Sequence, residues 1–408
     1  MTAHPSATDP TMNHPSPDRT TRHRTTRGRR ILAGALAAAT LVAGAAFVPW
    51  QRGLTGAPTG DAQFAAALAP HLDAGYLRSV SAASVETDGT VRFAGWHAEE
   101  HDQFEIGSIT KTFTAALLAD AIERGELTAG TTLGEVFDEL AGTSAGDLTM
   151  EQLATQHTGL PKSADMVPLG QRWRLFLRMD GYVETLPQML ERTAGLETDP
   201  GTYVYSNTGF ALLGHAVAEA AGVPYPQLVQ ERLLDPLGMN ETVVPQTYAD
   251  LPAGAPAGHT DSGVPTGPWT LGAEAPAGSI RSTAHDMAIW MGAVADGSAP
   301  GVDAVEPRTE LEDGDDIGYA WMTTPMGEDA EAADPSAAAV TWHNGGTGGY
   351  RSVAGFTPDG RALVVLSDTQ TWVDAGLGYL AETAPADASD RSDDQSDRND
   401  DSNEQSEE

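Results

Sequence analysis

Apolar residues recur at helical spacing from Ala62 to Leu72, and then the period of the pattern changes. Ser79 to Val85 and Val91 to Trp96 read as two strands, with Asp88-Gly89 supplying the turn between them. From Ser108 to Arg124 the spacing is helical again. Phe113, Leu117, Ala121 and Ile122 fall on one face there, and Gly125 offers a C-terminal stop. The stretch from Leu127 to Val294 reads mostly as helices and loops. Leu148 to Gln156 and Thr208 to Ala221 are its clearest helices, and Gly222 and Pro224 end the second. Strand patterning returns at Tyr319 to Thr323, Ala338 to Trp342, Tyr350 to Phe356 and Ala362 to Ser367. A short helix near Trp372 to Ala381 follows.

Strands at both ends and helices between them predict an α+β architecture. Neighbouring strands joined by tight turns pair antiparallel, so the sheet is expected to draw on both ends of the domain. The helical lobe, about residues 127–294, is then an insertion. A site at the seam of the two lobes is the expected arrangement. No internal repeat is seen.

The ends differ from the middle. Residues 1–30 are rich in Pro, Thr, Ser, His and Arg and cannot build a core, so disorder is expected. From Ile31 to Val48 the chain is apolar and uncharged, directly after Arg27, Arg29 and Arg30. Roughly 18 such residues suit a long signal-peptide core or a short membrane helix. The positive flank orients the rest of the chain outward, Arg29-Arg30 hints at twin-arginine export, and Ala43-Gly44-Ala45 offers a cleavage site. The organisation expected is therefore a basic segment at 1–30, a signal or membrane-anchor helix at 31–49 and a linker at 50–61. A domain at 62–382 and a disordered acidic tail at 383–408 complete it. The chain is expected to be exported, and held at a membrane if residues 31–49 remain attached.

Composition narrows the chemistry. With no cysteine, thiol nucleophiles, disulfides and Cys-ligated zinc are excluded. The formal net charge of -35 repels polyphosphate and argues against a nucleic-acid partner. No cofactor is called for. Lysine occurs only at Lys111 and Lys162, so a lysine in a chemically suggestive place carries weight.

Ser108-Ile109-Thr110-Lys111 is such a place. It is an S-x-x-K stretch at the start of a helix, where positions i and i+3 share a face. A serine hydroxyl needs a nearby base, and a lysine becomes one when burial or positive potential lowers its pKa. Tyr205-Ser206-Asn207 follows the Pro200-Gly201 turn. If extended, it puts Tyr205 and Asn207 on one side. A phenol beside an ammonium can serve as acid or base, and an amide can bind a carbonyl or the lysine. Read blandly, Tyr205 is a core aromatic and Asn207 an N-cap. The third stretch runs from Thr341 to Tyr350 and holds His343-Asn344-Gly345-Gly346. Its glycines allow close approach, and a backbone N–H there can complete an oxyanion hole.

These three elements, in this order, resemble the serine β-lactamase and penicillin-binding-protein superfamily, particularly class C β-lactamases, D-Ala-D-Ala carboxypeptidases and related esterases. The family's S-x-x-K, Y-x-N and K-T-G or H-x-G elements stand here as Ser108 to Lys111, Tyr205 to Asn207 and His343 to Gly345. Leu153 to Pro161, Pro236 to Met239 and Ala277 to Met287 add similar stretches, and the resemblance spans about Ala62 to Leu380. It implies a β-lactamase/transpeptidase-like fold and an acyl-enzyme on Ser108, with Lys111 and Tyr205 moving the proton. Asn207 then orients substrate, His343 and Gly345 line the opposite wall, and the N–H groups of Ser108 and Gly346 hold the oxyanion. Substrates implied are a small molecule or peptide with an amide or ester, such as a peptidoglycan stem peptide or a β-lactam. His343 stands where classical β-lactamases carry lysine, which favours carboxypeptidase-like or esterase-like chemistry. Arg281 and Arg351 are the candidate anchors for a substrate carboxylate, since the loop Gly327 to Asp334 before His343 is acidic.

Two other readings compete. A non-hydrolytic penicillin-recognising receptor could use the same fold. A zinc hydrolase would use His97 and His101 of His97-Ala98-Glu99-Glu100-His101, an H-x-x-E-H pattern that requires a helix, whereas this stretch reads as a short link between a strand and the Ser108 helix.

Overall fold

The computed structural model describes residues 53–72, 75–161, 173–174, 177–312, 314–326 and 339–383. The expected segments 1–30 and 31–49, the acidic tail after 383, Lys162 and the loop Gly327 to Asp334 lie outside the described residues. Among the described residues no helix is long and apolar enough to cross a membrane.

The alternation of the strands is the origin of the architecture. In β2 (Val80–Val85), Val80 and Ala82 face one apolar cluster while Ala83 and Val85 face another. In β11 (Ala362–Ser367), Leu363 and Val365 join the first, and Ala362, Val364 and Leu366 the second. A sheet with two apolar faces must be covered on both. Helix α1 (Ala62–Leu68) and Tyr379 and Leu380 near the C-terminal end cover one face. The other face meets the helical lobe, including α2 (Thr110–Glu123), α3 (Leu186–Ala194), α4 (Asn207–Ala221) and α5 (Ala284–Ala295).

The remaining strands are β1 (Thr59–Gly60), β3 (Val91–Trp96), β4 (Phe104–Glu105), β5 (Arg281–Ser282) and β6 (Thr309–Glu310), then β7 (Asp316–Ile317), β8 (Met322–Pro325), β9 (Ala339–Gly346) and β10 (Arg351–Phe356). Nine strands pair antiparallel in the order β1-β3-β2-β11-β10-β9-β8-β7-β6, so β2 from the start of the domain lies beside β11 from its end. The sheet built from both ends, with a helical insertion, is as the patterning predicts. A small second sheet, β4 with β5, joins the segment before Ser108 to the segment before α5.

Three expectations change. The strand placed at Tyr319 to Thr323 starts later, at Met322, because Ala320 takes a left-handed conformation and Gly318 N–H closes a turn onto Trp321 O. The helix placed at Leu148 to Gln156 is only Met150–Ala154, since Gln156 is itself left-handed. The third is α2, which has no single apolar face: every residue from Thr110 to Ala121 is buried. Thr112 and Thr114 are tolerated there because their hydroxyls reach Ile109 O and Pro276 O.

Candidate active site

Ser108 sits in the 3-10 turn Gly107–Ile109 that leads into α2, one turn before the helix proper. The i, i+3 relation to Lys111 survives, and Lys111 Nζ lies 3.0 Å from Ser108 Oγ. Gly107 has φ +53, and a Cβ there would collide with Gly346 N, so only glycine lets the β9 end close onto this turn. Gly345 is equally constrained: a Cβ would overlap Ile106 O and Ser352 Oγ. These approaches set the backbone N–H of Gly346 beside the turn that carries Ser108.

Lys111 is fully buried. Its Nζ also lies 2.7 Å from Asn207 Oδ1 and 2.8 Å from Ala277 O. Two of the three neighbours can only accept and the third, a hydroxyl, can donate. The three can accept from an ammonium, and when the Ser108 hydroxyl turns to donate they suit the two N–H groups and one lone pair of a neutral amine. Burial pulls the Lys111 pKa from 10.5 to about 7, against the opposing charge of Glu274. The Tyr205 ring, its centroid 4.8 Å from Nζ, and the Phe210 ring at 5.8 Å fill the rest of the surroundings.

Asn207 is not an N-cap. Ser206 holds that position, its Oγ accepting from Gly209 N–H at 3.2 Å, and Asn207 is the first residue of α4. Ser206 N–H donates to Gln156 Oε1 and Ser206 Oγ donates to Pro161 O, which fixes the Tyr205-Ser206-Asn207 backbone against the segment after Met150–Ala154. Tyr205 is partly buried rather than a core aromatic. Burial pushes its phenol well up, further than a hydrogen bond to Ser108 pulls it back, so the group stays protonated at neutral pH.

His343 lies in β9, buried, with its ring centroid 6.4 Å from that of Tyr205. Its Nδ1 is 2.6 Å from Asn344 O, which can only accept, so Nδ1 carries the proton and Nε2 does not. Burial, followed by the neighbouring Lys111, lowers its pKa to about 3. The His343 side chain is thus neutral near pH 7.

The fold therefore brings Ser108, Lys111, Tyr205, Asn207, His343, Gly345 and Gly346 to one seam between the lobes. It separates the two candidate anchors. Arg281 is enclosed, its Nη1 2.8 Å from Glu105 Oε1 and its Nη2 3.0 Å from Pro256 O, and it cannot receive a substrate. Arg351 instead stacks over the half-exposed Trp372, with its guanidinium carbon 4.4 Å from the ring centroid, and borders Gly346. The H-x-x-E-H stretch forms no metal helix: it is bend and turn, His97 has φ +53, and its Nε2 bonds Thr55 Oγ1. Sequence reasoning missed Glu274, Gln156 and Phe210. Glu274 is a carboxylate inside the small apolar run Ala273 to Ala277, a pattern that could have flagged it.

Known proteins resemble this chain in sequence and in fold. The family model Beta-lactamase matches residues 64–399. A protein named beta-lactamase from Escherichia coli K12 is 29% identical over 198 residues, 46% of this chain and 46% of its own length. The D-alanyl-D-alanine-carboxypeptidase/endopeptidase AmpH of the same organism is 31% identical over 206 residues, 46% of this chain and 47% of its own. The aligned stretch thus spans about half the length of these curated relatives. Among solved structures, a class C beta lactamase from Rhodobacter sphaeroides superposes with TM-score 0.65 and 22% identity, covering 79% of this chain and 99% of that one. This likeness shows the fold.

Proposed function

Because the chain belongs to the Beta-lactamase family, we propose that it is a serine hydrolase that cleaves an amide or ester through an acyl-enzyme on Ser108. The observation that carries the proposal is Lys111. A buried amine with a pKa of about 7, two carbonyl acceptors and a serine hydroxyl at 3.0 Å is arranged to take a proton from that hydroxyl.

The contacts support the following steps. Lys111 Nζ accepts the Ser108 proton as Oγ attacks the substrate carbonyl. The oxyanion is held by the N–H groups of Ser108 and Gly346. Tyr205, protonated at neutral pH, is suited to hand a proton to the leaving alkoxide or amine, and recovers it from the Lys111 ammonium. Water then attacks the acyl-ester carbonyl and gives one proton to the neutral Lys111 amine, which passes it to Ser108 Oγ as the C–Oγ bond breaks and the carboxylic acid leaves. Asn207 holds Lys111 and faces substrate. His343 is a neutral wall and contributes no positive charge. The charge that a carboxylate-bearing substrate needs would come from Arg351 at the rim.

This chemistry fits carboxypeptidase-like or esterase-like turnover with reactivity toward β-lactams. Export, with or without a retained anchor, is proposed on residues 27–48 alone, and cell fractionation tests it. The activity is tested by intact-mass spectrometry of the purified protein after a penicillin, a D-Ala-D-Ala peptide and a p-nitrophenyl ester, with Ser108→Ala alongside. An adduct on wild type only, followed by steady product release, is expected. An adduct with no release would indicate a receptor, and neither adduct nor turnover would sink the hydrolase.

A further inference from the structure

One histidine of the H-x-x-E-H stretch finds partners that its motif does not provide. His101 Nδ1 lies 2.9 Å from Glu241 Oε1, and His285 Nδ1 lies 3.8 Å from Glu241 Oε2. One ligand atom from each of the three residues can be chosen so that all lie within 4.8 Å of one another. Nitrogen and oxygen ligands about 2.0–2.2 Å from a tetrahedral ion stand roughly 3.3–3.6 Å apart. The observed separations straddle that value, so small side-chain rotations would bring the three donors onto one ion.

The cluster is built rather than accidental in its support. Glu241 N–H donates to the buried Asp286 Oδ2 at 2.8 Å, and Thr283 Oγ1 donates to Glu241 Oε2 at 2.8 Å. Gln103 Nε2 donates to Glu241 O at 2.9 Å. His285 N–H donates to Glu100 O at 2.9 Å, its ring stacks on Phe93 and its Nδ1 lies 3.2 Å from Asp286 Oδ1. The His101 and His285 ring centroids are 4.9 Å apart. Partners that orient ligands in this way are what tune metal sites.

We propose that His101, Glu241 and His285 form a structural site for one zinc-class divalent cation, with water completing the shell. Two imidazoles and one carboxylate suit a borderline ion and do not suit calcium or magnesium, which take oxygen ligands. The ion would clamp three segments: the loop that leads into β4 and Ser108, the segment before Thr242, and the first turn of α5. It shares no residue with the Ser108 site and takes no part in the hydrolytic step.

The test uses the full chain, stripped by chelator and desalted, then titrated with zinc, nickel and magnesium chlorides by calorimetry and native mass spectrometry. His101→Gln changes a half-exposed side chain and spares the fold; His285→Ala and Ser108→Ala are run beside it. Expected are one zinc-class equivalent bound by wild type and by Ser108→Ala, no magnesium, and a melting temperature that rises with zinc. Affinity should fall about tenfold or more in His101→Gln. His4, His14 and His23 lie elsewhere in the chain. Unchanged zinc binding in His101→Gln and His285→Ala would therefore assign the ion to other histidines and overturn the proposal. No binding by wild type at millimolar zinc would overturn it as well.

Discussion

The molecule buries two cations within a few residues of the same backbone junction and treats them oppositely. Ile106 N–H donates to Ile280 O, so the chain before Ser108 and the chain before α5 run side by side. On one side of that junction Arg281 is wholly buried and paired with Glu105 at 2.8 Å. On the other, Lys111 is wholly buried and held by a hydroxyl and two carbonyl oxygens, with Glu274 acting on it only as a nearby charge. A guanidinium cannot shed its proton, so its burial requires a counter-ion. An amine can, and burial without a direct ion pair drives it toward neutrality. The first arrangement gives structure and the second gives a base.

The largest test of that contrast removes the amine. Ser108→Ala should form no adduct, and Lys111→Ala should slow acylation by about 10²–10⁴-fold in stopped-flow with a p-nitrophenyl ester. Lys111→Arg should be as slow, because a permanent cation cannot accept the proton. A normal rate in either lysine variant would remove the amine from the chemistry. Breaking the other side should damage folding instead. Glu105→Gln leaves Arg281 buried without its carboxylate and should cost about 3–5 kcal/mol in urea unfolding. Near-wild-type stability there would mean that Pro256 O and the Tyr350 hydroxyl, which accepts from Arg281 Nη2 at 3.4 Å, suffice.

The two regions can also be made alike. In wild type, acylation should rise with pH, half-maximal near 7, since the neutral amine is the active form and the Lys111 pKa is lowered to about 7. Asn207→Asp places a carboxylate where an amide oxygen now lies 2.7 Å from Nζ. It should favour the ammonium and move that midpoint up by about 1–3 pH units. A midpoint that stays put would mean that another group governs the profile. The smallest effect is expected at the rim. Trp372→Ala removes a half-exposed cation–π contact with Arg351 and should change stability by less than about 1 kcal/mol, with any kinetic effect in KM rather than kcat. A large loss of kcat would place Arg351 and Trp372 deeper in the chemistry.

Much of the site was legible because its spacing is local. Ser108 and Lys111 are one turn apart, and Gly345 and Gly346 follow His343 on one strand. The resemblance then assembled three weak local signals into one site. Other local signals point elsewhere. His97 and His101 have the spacing of a metal helix, but the segment is the short link after β3 that the patterning predicts, a bend and turn. The apolar positions of α2 looked one-sided because its threonines count as polar, although their hydroxyls are satisfied internally.

The sequence by itself determined the α+β order of elements, the antiparallel sheet closed by both ends of the domain, and the residues able to meet at the seam. These depend on periodicity, turn residues and short spacings, which a chain carries without folding. Only the tertiary structure decided that Lys111 is buried and neutral-poised, that Asn207, 96 residues away, holds it, that Arg281 is spent on Glu105, and that His101 meets Glu241 and His285. Desolvation and long-range proximity are properties of packing, and no residue has either until the lobes close around it.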